Sequence, residues 1–171
     1  MAFPLARGET AWFALTVKPR HEKSVAANLS RKGLETYVPL YDAVRRWSDR
    51  RKVVAASLFP GYVFCRYGYE NQLDVLNLPG VKSVVSFGDM PARVSDAEIE
   101  AVRAVLQSGR PASPWPFLRA GNRVRFLSGS MAGVEGILVR QKESLRVVVS
   151  IELLRRSVAV EIDRDMIEPL D

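Results

Sequence analysis

The chain has 171 residues, 47% of them hydrophobic, and a formal charge of +6, which is enough apolar material for one sizeable core or two small ones and excludes disorder throughout. The only cysteine is Cys65, which excludes a disulfide framework or a cysteine zinc cluster and fits a reducing compartment. Neither the opening MAFPLARGETAW nor any later stretch offers a signal-peptide core or about eighteen consecutive apolar residues, so a cytoplasmic protein without a membrane span is expected.

The first strand is written in WFALTV, residues 12–17, and the first helix in KPRHEKSVAANLSRKG, residues 18–33. Pro19 is tolerated in a first turn, Val25, Ala26 and Leu29 share one side, and Gly33 ends the helix. The opposite side carries Arg20, Lys23 and Arg31, which reads either as a solvated face or as a surface for phosphates. TYVPLY (36–41) and VVAAS (53–57) are strand-like, and the latter runs into LFPGYVFCRY (58–67).

Between these strands lies VRRWSDRRK (44–52), where Arg45, Arg46, Arg50, Arg51 and Lys52 flank Trp47 and are offset only by Asp49. Residues 1–110 hold sixteen Lys/Arg against eleven Asp/Glu, and residues 111–171 nine against eight. The basic excess therefore sits in the first part. Clustered cations repel one another, and an interleaved Trp offers a stacking face, so a polyanion partner is one reading; a solvated tip, or neutralisation from elsewhere in the fold, is the other.

In LFPGYVFCRY the side chains split by parity. Val63, Cys65 and Tyr67 fit the protein's own core, whereas Tyr62 and Phe64 on the other face, helped by Phe59, need a second covering layer or a partner, because three exposed aromatics make an unusual patch for a lone monomer. A short helix in NQLDVLNL, a strand in VKSVVSF (81–87) and a helix in SDAEIEAVRAVLQSG follow. In that last helix Ser95 and Glu98 suggest a capping box, Ile99, Val102 and Leu106 one face, and Gly109 the stop. Mixed strands and helices within about a hundred residues favour an antiparallel sheet with helices on one face.

GRPASPWPF (109–117) carries three prolines in six positions and reads as a linker. Beyond it the pattern becomes all-β: NRVRFLS alternates with Val124 and Phe126 inward and Arg123 and Arg125 outward, followed by GILVRQ, LRVVVSI and SVAVEI. Four or five short strands in some fifty residues favour a rolled barrel, since closure protects edges. His21 reads as an ordinary exposed residue and Asp96, Glu98 and Glu100 as a favourable helix start. With no phosphate loop, serine elbow or metal-spaced cluster, an enzyme is not expected, nor a cofactor or a metal.

Several of these motifs, in this order, resemble the NusG family, and more closely its specialised RfaH and UpxY-type antitermination branch. WFALTVKPRHEKSVAANL is similar to the family's first strand and helix, RRWSDRRKVVAASLFPGYVFCR to its basic hairpin and Phe-Pro-Gly-Tyr strand, and LPGVKSVVSFGDMPARVSDAEIEAV to the end of its N-terminal NGN domain. AGNRVRFLSGSMAGVEGILVRQ and RVVVSIELLRRSVAVEID resemble the KOW module, an SH3-like barrel, with Gly136 where that module has its invariant glycine. The implied fold is α+β: an NGN domain over 10–108, a proline-rich linker over 109–117 and a KOW domain over 118–171. The β-branched run Arg146 to Ile151 favours the barrel over the helical form that one member of the specialised branch adopts.

The resemblance implies a monomeric transcription elongation and antitermination factor that binds RNA polymerase, holds its clamp closed and reduces pausing or termination. Phe59, Tyr62 and Phe64 would form the pocket for the clamp helices of the largest subunit, with Trp12 and Phe13 as supports and Gln72 toward the gate loop. Lys18, Arg20, Arg31 and Lys32 would meet the non-template strand, and Arg45, Arg46, Trp47, Arg50, Arg51 and Lys52 the upstream DNA. The KOW tip would meet the ribosome or Rho; this chain has Gly129, Ser130 and Met131 there in place of Gly-Pro-Phe, and a longer charged connection at Glu152 to Arg156. Alanine at Tyr62 or Phe64 is then expected to weaken polymerase binding and leave the fold intact. The rival reading is a KOW-containing structural RNA-binding protein of the ribosome, which has no need of the aromatic strand and basic hairpin.

Overall fold

The computed structural model describes residues 3–170, so Asp171, the last residue of the expected second domain, lies outside them. The chain divides into two units: residues up to Val38 with Phe59–Asp96, and Pro39–Leu58 with Ala97 onward. The boundaries differ from the expected ones at 108 and 118, because the basic hairpin and the helix before the prolines group with the C-terminal part.

In chain order the elements are β1 (Ala11–Val17), α1 (Glu22–Arg31), β2 (Glu35–Tyr37), β3 (Leu40–Trp47), β4 (Arg50–Ser57), β5 (Tyr62–Tyr67), α2 (Gln72–Leu76), β6 (Val81–Val84), β7 (Ser86–Phe87), β8 (Met90–Pro91) and β9 (Arg93–Val94). The expected strand over 36–41 is broken, because Pro39 constrains its predecessor and offers no N–H; its carbonyl instead accepts the Leu58 N–H at 2.9 Å.

The first unit is an antiparallel sheet of order β2-β5-β1-β6, with β9 also paired to β1. One face carries Phe13, Leu15, Val63, Cys65 and Tyr67, packed with Val25 and Leu29 of α1 and Val75 of α2. The four-residue spacing of Val25 and Leu29 aims both at that face. Pro19 is not in the helix, whose first residue is Glu22. Past its end, Gly33 N–H donates to Ser30 O and Leu34 N–H to Leu29 O, closing the last turn as a Schellman motif. Phe13 stacks at a tilt on Tyr67 with ring centroids 4.8 Å apart.

Burial pushes the Cys65 thiol up to about 12, with the Glu35 carboxylate adding to the shift. The thiol is therefore neutral and covered in the native state. Native protein at pH 8 is expected to leave Cys65 unmodified by a thiol reagent for as long as the first unit stays folded, and denaturant should expose one reactive thiol; rapid modification of the native chain would contradict this burial.

The second unit continues with α3 (Asp96–Gln107), β10 (Ala112–Trp115), β11 (Asn122–Phe126), β12 (Glu135–Gln141), β13 (Ser144–Ile151), β14 (Arg156–Ile162) and β15 (Ile167–Pro169). The buried residues of α3 are Ile99, Val102 and Val105, so Val105 takes the place expected for Leu106. Glu98 accepts the Glu152 N–H at 2.7 Å, and burial raises its carboxyl pKa against that hydrogen bond.

The six strands run β10-β14-β13-β12-β11-β15, all neighbours antiparallel. Residues 112–115 of the expected linker are thus a strand, with Pro114 opposite Val158. Proline is compatible with this position because β10 is an end strand, where a missing N–H can face away from the ladder. Arg110 holds its approach by donating to Asp163 Oδ2 at 2.8 Å and Glu161 O at 3.3 Å. Val124 and Phe126 are buried as expected, with Val147, Val149, Ile151, Val158 and Val160.

Candidate nucleic-acid and partner interface

The strands β3 and β4 form a two-stranded ribbon closed by the two-residue turn Ser48-Asp49. Its register puts Arg45 opposite Lys52, Arg46 opposite Arg51 and Trp47 opposite Arg50. Like charges directly opposite one another are unfavourable by up to about 1 kcal/mol a pair. Every residue from Val44 to Val53 is exposed. Among the described residues, none of these five cations forms an ion pair within 4 Å. The acidic neutralisation that the sequence left open is therefore not supplied there. Two exposed apolar side chains were not singled out from sequence: Val44 at 63% and its cross-strand partner Val53 at 62%, beside Trp47 at 61%.

The aromatic segment begins with a turn that its residues dictate. Pro60 presets the first central position, Gly61 takes the positive φ of 85° at the second, and Tyr62 N–H donates to Phe59 O at 3.1 Å, as in a type II turn. Glu22 Oε1 accepts the Gly61 N–H at 2.9 Å, and Gly61 O accepts the Val17 N–H at 2.9 Å, tying the turn to α1 and β1.

The side chains beyond the turn are not the open patch expected. Phe59 and Phe64 meet edge to face, centroids 5.9 Å apart, and both are buried, as are Trp12 and Phe13. Phe13 lies opposite Cys65 and so belongs to the core face, whereas Trp12 and Ala14 lie opposite Arg66 and Phe64 on the other. Tyr62 alone of the expected pocket is half-buried rather than covered. Gln72 is 5% exposed and sits inward with Val75; its neighbours Leu73 and Tyr69 are the outward side chains of that segment.

Lys18 and Arg20 precede α1, and Arg31 and Lys32 end it; all four are exposed. A ten-residue helix separates the two pairs by about 15 Å, so they are two separate groups of charge and not one cluster. Arg20 has φ 66°, a left-handed conformation unusual for a residue with a side chain, and Arg31 donates to Asn28 Oδ1 at 2.8 Å. At the other tip, Ser130 is exposed but Met131 is buried, so Met131 is a packing residue and not a presented one. A stack of Arg146 on Trp115, 5.4 Å from centroid, also went unseen because residues 112–115 read as linker. No helix of the described residues is long and apolar enough to cross a membrane.

The family model described as transcription termination factor NusG matches residues 10–103. The transcription termination/antitermination protein NusG of Pseudomonas aeruginosa is 25% identical over 92% of this chain and 97% of that protein. The NusG proteins of Escherichia coli K12 and Vibrio vulnificus are 29% and 27% identical, over 78% and 89% of this chain and 77% and 89% of their own. Among solved structures, Thermotoga maritima NusG, described for its domain interaction, matches with a TM-score of 0.58 at 22% identity over 95% of this chain and 98% of that one. That likeness is one of fold: an α+β chain with antiparallel sheets and a β-rich C-terminal part.

Proposed function

The chain belongs to the NusG family, and from this premise we propose that it is a transcription elongation and antitermination factor that binds RNA polymerase through its N-terminal NGN part. Binding to the clamp helices of the largest subunit would hold the clamp closed and reduce pausing or termination, a binding free energy directed at one conformation of the partner. The observation that carries the reading is the family match over residues 10–103, the stretch that contains both the Phe-Pro-Gly-Tyr turn and the cationic ribbon.

In this conformation the half-buried Tyr62 is the side chain of the aromatic set that would meet a partner, and the exposed Leu73 and Tyr69, in place of the buried Gln72, would make a gate-loop contact. The ribbon would approach upstream DNA, and Lys18, Arg20, Arg31 and Lys32 the non-template strand. A specialised paralogue is favoured by the tip, where Gly129-Ser130-Met131 stands and Met131 is turned inward. Any contact of this tip with the ribosome or Rho would fall to the exposed Ser130. The rival reading as a ribosome-associated KOW protein has no support from the region matched, which is the part such a protein lacks.

The test is a transcription assay in vitro on several leader templates, with the purified monomeric chain and core polymerase. Shorter dwell at pauses or increased read-through, together with co-elution with polymerase, is expected. Unaltered dwell on every template and co-purification with ribosomes instead would overturn the reading.

A further inference from the structure

The exposed Tyr69 and Leu73 sit on a segment too short to hold itself in place. One turn of 3-10 helix, Tyr69–Asn71, runs into the five-residue α2, and neither start has a side-chain cap. Helices of this length are marginal in water, so their placement comes from packing. Val75 anchors the far end in the core. The near end is held by residues 3–9.

Aromatic packing, a hydrogen bond and a close backbone approach do this. The Phe3 ring meets Tyr69 edge to face at 5.8 Å between centroids and packs on Phe13 and Tyr67 at 5.4 and 6.1 Å, which bridges the segment to the core face of the sheet. The Gly8 N–H donates to Glu70 Oε1 at 3.1 Å. Gly68 has an extended backbone, but a Cβ there would stand 2.5 Å from Glu9 O, so glycine is what lets the two backbones approach. Residues 6–9 are themselves a closed turn, in which Glu9 N–H donates to Ala6 O at 3.1 Å and Ala6 N–H to Glu9 Oε2 at 3.2 Å.

Residues 3–9 precede the stretch that the family model matches. We infer that they are a strap that positions Tyr69 and Leu73 for RNA polymerase, with Phe3 as the positioning residue. The inference rests on the gate-loop contact proposed above and adds the element that sets its geometry. An edge-to-face pair favours one relative ring orientation, so Phe3 restricts the Tyr69 ring while leaving Tyr69 56% exposed.

The experiment measures the affinity of the full chain for core polymerase in a mutant cycle. Phe3→Ala is expected to weaken binding by about three- to tenfold, as for loss of an edge-to-face pair, and Tyr69→Ala with Leu73→Ala by about tenfold. In the Tyr69→Ala, Leu73→Ala chain the strap has nothing left to position, so adding Phe3→Ala should cause no further loss. Gly8→Pro removes the donor to Glu70 and cannot take the φ of 85° found there; a side chain at this position meets open space, so the core is untouched, and binding should weaken too. Amides of residues 69–73 should exchange hydrogen faster in Phe3→Ala and Gly8→Pro, while those of α1 keep their protection.

Parent affinity in both strap variants, an equal loss with and without Tyr69 and Leu73, or faster exchange spread evenly over the first unit would overturn the inference. Failure of the parent chain to bind polymerase would overturn the polymerase reading and the strap's role together; binding by the parent with unaltered affinity in Phe3→Ala and Gly8→Pro would overturn the strap alone.

Discussion

Phe64→Ala is expected to lower the stability of the first unit by about 3–5 kcal/mol, the range for removing a buried aromatic side chain. Phe64 is fully buried, Phe59 closes on it edge to face, and β5 is an internal strand hydrogen-bonded on both sides. A domain has only about 5–15 kcal/mol in total, so this variant should melt far earlier than the parent in a urea titration followed by fluorescence. Tyr62→Ala should behave in the opposite sense. Its side chain is only half-buried, so stability should fall little, while affinity for core polymerase should drop by about 2 kcal/mol as for a truncated aromatic anchor. Sequence parity put the two residues in one role, and the structure separates them. A Phe64→Ala chain with the parent's denaturation midpoint would restore the exposed-pocket reading.

The second large effect concerns Gly136→Val. Gly136 lies in β12 at a crossing so close that a Cβ would stand 2.6 Å from Val147 Cγ1 and 2.6 Å from the Val148 carbonyl oxygen. A side-chain methyl can turn away, but the carbonyl belongs to the backbone of β13, which is paired to β12 on one side and β14 on the other, and cannot move without disturbing that pairing. Overpacking typically costs about 1–3 kcal/mol, and valine brings two further methyl groups to the same gap. We expect at least about 3 kcal/mol of destabilisation confined to the C-terminal strands, read by hydrogen exchange of the β12–β14 amides, with the core around Cys65 retaining its protection. Parent-like exchange in Gly136→Val would show that the crossing is looser than the geometry implies.

The location of this glycine was legible in the sequence only through resemblance; its physical reason was not, because the clash is with residues eleven and twelve positions further along the chain. The Phe-Pro-Gly-Tyr turn is the contrary case. Proline sets one dihedral and glycine permits the next, so four adjacent residues define the turn and the structure adds only Glu22 and Val17 as its clamps. The ribbon lies between these cases. Its cations and its Trp stand plainly in VRRWSDRRK, but their division between two faces follows from a two-residue turn and the pairing it sets.

What the sequence alone determined was local: the order and type of most elements, the end of α1 at Gly33, the inward set Val63, Cys65 and Tyr67, and the position of the basic excess. Each depends on neighbours within a few residues or on a periodicity that a single strand or helix carries. Tertiary structure alone decided that Trp12, Phe59 and Phe64 are covered, that Gln72 and Met131 turn inward, and that residues 112–115 are a strand. Apolarity states that a side chain gains by leaving water, not which surface covers it; the partner strand for a proline-rich segment, β14, comes from residues far away in the chain.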